Sequence, residues 1–245
     1  VRPADLVRYG LWAAVAGTAL RNRKQYGVPT AWLTHLAGNT LTLFLPDVVR
    51  HINAERIPDA ARPVLRTIQR RTADPRYAGY VAPLALGFVL SYPDFSIYHG
   101  RWAERTVLGF GADSVPHAAA AYALARLTSE TITTLAEELP PAHALAPLTG
   151  MAARNVDALA AAAVVLVTLI WEVGEYVAHH AEVEKTGRDP REVNMQWSLP
   201  DAITDSIANL AGLLAAIAVR RRAARVVHNE PQRCEEHKEL HKHLL

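Results

Sequence analysis

Fourteen consecutive residues without a charge, "ALAAAAVVLVTLIW" (158–171), limit what this chain can become. Such a run has to be covered by lipid or by other apolar side chains, because each large apolar side chain left in water forfeits about 1.5–3 kcal/mol. It lies in a longer apolar segment, Asp157–His180. Four further segments share its character: Pro29–Val49, Tyr77–Tyr98, Asp113–Leu135 and Pro200–Val219. A helix of about 20 residues, rising 1.5 Å per residue, crosses a hydrocarbon core of roughly 30 Å. A weaker piece, Asp5–Leu20, precedes "RNRK" and reads either as a sixth span or as an interfacial helix. Ala and Leu, both helix formers, supply most of the apolar residues, and no alternating runs bounded by turn residues suggest strands. The expected fold is all-α: a polytopic transmembrane bundle of about five to six helices. Its N-terminal helix falls in 1–28, its membrane domain in 29–222 and a polar tail in 223–245. A soluble helical bundle stays open as the alternative, since periodicity does not separate a lipid-facing helix from a buried one.

Charge distribution orients the spans. The net charge is only +2, and the basic residues gather at the flanks of apolar runs. That pattern suits a membrane surface and gives no basis for nucleic-acid binding. Residues 50–76 hold seven arginines, and Arg220, Arg221, Arg222 and Arg225 follow the last span. Both segments belong on the cytoplasmic side of a bacterial inner membrane. Alternating spans then carry three polar groups to the outer leaflet. Asp113 and His117 open the third span, Glu172, Glu175 and His179 close the fourth, and Asp201, Asp205 and Asn209 open the fifth. Spacings of three and four residues stack each group on one helix face. Charges at membrane depth cost about 2.5–3.5 kcal/mol each on insertion scales and so turn toward one another or a wet cavity. The expectation is one shared polar pocket. Asp113 and Asp201, at helix starts, also have a plain reading as caps.

Three pieces in order, "DSVPH", "WEVGEY" and "DAITDSIANLAG", resemble the VanZ-like and YjdF-type families of small bacterial integral membrane proteins. The likeness covers about residues 98–222. It implies a helical, multi-pass inner-membrane fold and supplies no mechanism.

The residues themselves allow several chemistries. His117, Glu175 and Asp205 are candidate ligands for a divalent metal, with Glu172 and His179 as further donors. Neither a His-Glu-x-x-His pattern nor the paired Glu-x-x-His of a di-iron bundle is present. Cys234 is the only cysteine, so this chain forms no internal disulfide and no Cys-based zinc site. Three functions follow. The first is a structural or accessory membrane subunit whose polar cluster locks helices together. The second is a metal-dependent enzyme acting on a lipid or cell-wall precursor. The third is a small proton- or cation-coupled transporter. The expected partners are the lipid bilayer and other subunits of a membrane complex. His237, His241 and His243 read as solvated tail residues.

Overall fold

Helix α1 (Pro3–Tyr26) starts with proline in its first turn, where the missing N–H costs little. It stops at Gly27, whose φ of 75° suits a residue without a Cβ. The chain continues through α2 (Leu33–Val49), α3 (Arg62–Ala73), α4 (Tyr77–Val89), α5 (Ser114–Glu138), α6 (Ala146–Arg154), α7 (Val156–Thr186) and α8 (Leu199–His243). This computed structural model describes residues 2–243 except 104 and 191, with side chains as far as Arg225. Among the described residues no strand forms. The side chains of Cys234, His237, His241 and His243 lie outside the described ones.

Side-chain pairs fix the helix directions. Arg8, near the start of α1, meets Asp47, near the end of α2, at 2.8 Å. At the other end of α1, Arg21 reaches Asp94 and Asn22 reaches Ser91, both beyond the end of α4. Tyr80, in the first turn of α4, donates to Glu130 far along α5, while Gly87 near the end of α4 faces Pro116 at the start of α5. Asp157, opening α7, accepts from Arg220 and Arg221, about 20 residues after the start of α8. The helices α1, α2, α4, α5, α7 and α8 therefore alternate in direction, and the shorter α3 and α6 lie between them at one end.

Two apolar cores hold this arrangement. Val15, Ala19, Leu43, Val81, Ala85 and Phe88 join α1, α2 and α4. Ala121, Ala125, Ala160, Val164, Leu213 and Ala216 join α5, α7 and α8. The second core is built mostly of alanine, so its backbones come close. At Gly212 the approach is limiting: a Cβ added there would collide with the Ala118 carbonyl oxygen.

Five apolar segments suggest five spans, yet among the described residues only two helices are both long and apolar enough to cross a membrane. They are α7, with a mean hydropathy of 2.1 over its best window, and α8 over Leu199–Arg225, with 1.7. The others fall short for identifiable reasons. Segment 29–49 spends its start on a 3-10 turn, leaving α2 with 17 residues. Segment 77–98 breaks after Val89, so α4 has 13. In segment 113–135, α5 has 25 residues but carries Arg126 and Glu130. Little of α7 is covered: 17% of its apolar window is buried, and Leu166, Leu169, Ile170, Val173 and Val177 project outward. Ile203, Ile207, Leu210 and Leu214 do the same on α8.

Candidate functional site

Asp113 stands at the N-cap position of α5, but its backbone is already in the right-handed helical region and its side chain makes no capping hydrogen bond. At the start of α8 the cap is Ser198, whose hydroxyl accepts from the Asp201 N–H at 3.3 Å. Neither carboxylate is therefore occupied in capping its helix. One oxygen each from Asp113, Asp201 and Asp205 lies within 4.8 Å of the others. Asp205 is 3% exposed; its Oδ2 is 3.2 Å from His117 Nε2, and its Oδ1 has no partner.

Around these four residues stands a second ring from α7. Both oxygens of Glu172 are buried without a hydrogen bond, with the Trp197 indole nearby but outside bonding geometry. Glu175 is within electrostatic reach of Asp113, Glu172, Asp201 and Asp205. Asn209, one turn below Asp205, donates to Thr168 of α7 at 3.1 Å and so joins α8 to α7. His179 does something else. Its Nδ1 donates to the Met195 carbonyl at 2.8 Å, while Glu182 accepts from the Asn194 N–H at 2.9 Å. Those two bonds fasten the loop between α7 and α8.

The expected metal trio was His117, Glu175 and Asp205. The tightest set of oxygens is instead Asp113, Asp201 and Asp205, with His117 against Asp205. The close approach of α5 to α8 explains this: it brings their opening turns together, whereas α7 contributes from one side. Sequence reasoning missed Tyr98, whose hydroxyl donates to the Gly87 carbonyl within electrostatic reach of Asp113, Glu175 and Asp205. It also missed Ser114, whose buried hydroxyl has no partner, and Trp197. Tyr98 had a signal, being a polar-tipped aromatic at the end of an apolar segment at the same depth. Glu182 had one too, three residues after His179 on the same face.

Among the described residues, no lysine or arginine forms an ion pair with Asp113, Glu172, Glu175, Asp201 or Asp205. Two like charges about 4.8 Å apart repel by roughly 3–4 kcal/mol at an effective dielectric constant near 20. Such a cluster is accommodated by shared protons or by a cation. Carboxylate oxygens suit Mg²⁺, Mn²⁺ or Ca²⁺, and an imidazole alongside extends the choice to Zn²⁺. Comparison of the chain with protein-family models, curated proteins and solved structures finds no match.

Proposed function

We propose that the chain is a multi-pass protein of a bacterial inner membrane whose acidic pocket holds a divalent cation. The membrane reading draws support from α7 and α8. A core helix of a soluble protein is mostly covered, but these leave apolar faces bare over most of their length. The alternating directions of α1, α2, α4, α5, α7 and α8 suit a multi-pass bundle in which α7 and α8 cross fully, α2 and α4 fall short of a full crossing, and α3 and α6 lie on the cytoplasmic side. The resemblance to VanZ-like and YjdF-type proteins agrees with this reading. The cation rests on one observation: carboxylate oxygens of Asp113, Asp201 and Asp205 converge within 4.8 Å, and the buried Asp205 Oδ1 is unpartnered.

Its first role is structural. A cation between the opening turns of α5 and α8 locks those helices, as suits an accessory subunit of a membrane complex. A metal-dependent enzyme acting on a lipid or cell-wall precursor is the second reading. Glu172 favours it, since its unpartnered oxygens stand beside the pocket where a general base for metal-bound water would be needed.

Metal analysis of detergent-purified protein tests the proposal after equilibration with Mg²⁺, Mn²⁺, Ca²⁺ or Zn²⁺. The expected result is about one ion per chain and a higher unfolding temperature, both lost in Asp205→Asn and Asp113→Asn. No bound ion and no thermal shift with any of the four would remove the cation from the proposal. Release of the chain by alkaline carbonate would separately remove the membrane.

A further inference from the structure

Two short helices, α3 and α6, lie at the end of the bundle opposite the acidic pocket, and they face outward in contrary ways. On α3, Pro63, Thr67, Arg71 and Thr72 are buried. Its outward residues include Arg66 and Arg70, whose guanidiniums meet Glu55 at 2.8 Å and Glu138 at 3.2 Å. A helix that lies against water is ordinarily arranged in this way. On α6 no residue is fully buried. Its half-covered side holds only small residues: Ala146, Thr149, Gly150, Ala152 and Ala153. Its outward side carries Leu148 at 58% and Met151 at 53% exposure, with Leu145 just before the helix at 39%. A spacing of three residues sets these along one side. The large apolar side chains of α6 therefore point away from the bundle. Among the described residues, no side-chain hydrogen bond or ion pair ties α6 to another helix; the Thr149 hydroxyl donates to the Leu145 and Ala146 carbonyls of its own turn.

We propose that α6 lies in the plane of the membrane, with Leu145, Leu148 and Met151 sunk into the inner leaflet. The inference rests on the membrane reading. What selects lipid over a protein partner is the covalent position of the helix. Only Asn155 separates α6 from α7, one of the two helices apolar enough to cross. The bare side chains of α7 begin with Leu159 and continue through Val165 and Leu166. Asp157, bound by Arg220 and Arg221, marks the polar level at this end. The short helix thus sits where a crossing helix enters the hydrocarbon, and its outward apolar residues precede those of α7 directly along the chain. A helix lying in the interface sinks about 5–10 Å, to the boundary of headgroups and acyl chains. Arg154, exposed at the end of α6, lays its stem along the apolar layer and carries its charge to the headgroups. Seated in this way, α6 sets the depth at which α7 begins its crossing.

Fluorescence quenching of the full chain in reconstituted vesicles tests this. In a Cys234→Ser background, a single label is placed through Leu148→Cys, Met151→Cys, Leu169→Cys or Ala61→Cys. All four positions are exposed on the protein, so the substitutions disturb no core. Leu169→Cys, on the bare face of α7, reports on the membrane reading itself. Ala61→Cys, in the turn before α3, is the aqueous control on the same side of the membrane as α6. The quenchers are aqueous iodide and lipids carrying a nitroxide either near the headgroup or deep in the acyl chain. Labels at 148 and 151 should be quenched more by the shallow nitroxide than by the deep one, and several-fold less by iodide than the label at 61. The inference fails, with the membrane reading intact, if the label at 169 is quenched by the deep nitroxide while those at 148 and 151 meet iodide as freely as the label at 61. Shielding of 148 and 151 from iodide and from both nitroxides shows a protein partner in place of lipid and also overturns it. If the label at 169 escapes lipid quenching, the membrane reading falls and this inference with it.

Discussion

The two ends of the bundle treat buried charge in opposite ways. At one end Asp113, Glu172, Glu175, Asp201 and Asp205 crowd together, and among the described residues their one ion-pair partner is His117, against Asp205. At the other, Glu130 and Asp157 are each shared by several arginines. Removing one partner of a satisfied, buried pair strands the other. Removing one member of a crowd of like charges relieves the rest. Charge content therefore does not by itself say which end stabilises the protein; the pairing does. Saturated pairs carry structure, and the unsaturated cluster has a place for something the chain does not supply.

This contrast can be broken experimentally. The largest effect is expected from Glu130→Gln, which leaves the half-buried Arg126 without its counter-ion and the buried Arg71 with only Asp74, at 3.6 Å. Loss of about 3–5 kcal/mol, read from thermal or denaturant unfolding in detergent, is the expected scale. Next is Gly212→Ala, which sets a methyl against the Ala118 carbonyl between the two ends. Overpacking of this sort costs about 1–3 kcal/mol, and this variant should also weaken cation retention by parting α5 from α8. Asp205→Asn should be neutral in metal-free buffer, or stabilising by about 1 kcal/mol at most, because a repelling charge is gone. A loss as large as that of Glu130→Gln would erase the distinction between the ends. The smallest effect belongs to Asp74, in the turn between α3 and α4. Hydrogen bonds from Arg76 hold its carboxyl below the usual range, against a smaller opposing effect of burial. A lowered carboxyl stabilises the fold above its ordinary pKa of about 3.9, and that contribution disappears as the pH falls through the lower folded value. The gap in stability between the parent and Asp74→Asn should thus be present at neutral pH and close in strong acid.

Much of the acidic end was legible in the sequence. Spacings of three and four residues and their places at helix starts pointed to Asp113, His117, Asp201 and Asp205 as neighbours, and they meet at one end of the bundle. His179 shares the same periodicity but belongs to the loop, because helix phase gives a direction and not a partner. Capping was misread for a related reason. Asp113 and Asp201 stand where caps occur, yet Ser198 takes that position on α8 and the Asp113 backbone is already helical. The two arginine-rich segments were expected on one side, but the carboxylates that pair with them were not legible. Arg71, Arg126 and Arg220 lie far apart in sequence, and each looks like an ordinary flank residue until α3, α5 and α8 are brought together. Helix lengths were overestimated for α2 and α4, since apolar composition continues past the 3-10 turn at Pro29 and the break after Val89.

The separation of the two ends has an electrical consequence. From Asp205 to Arg220 is 15 residues of α8, about 22 Å along the helix axis. Negative groups at one end and guanidiniums at the other give the bundle a permanent moment along its long axis. A resting bacterial potential is negative inside, and it acts on each full charge carried across with about 2.3 kcal/mol per 100 mV. With the arginine end inward, that field and the moment are aligned. In the proposed orientation the same field would draw a cation held at the acidic end toward the cell interior, against an uncharged stretch of α8 over residues 206–219. In that orientation the chain is thus polarised in the direction that holds it in place.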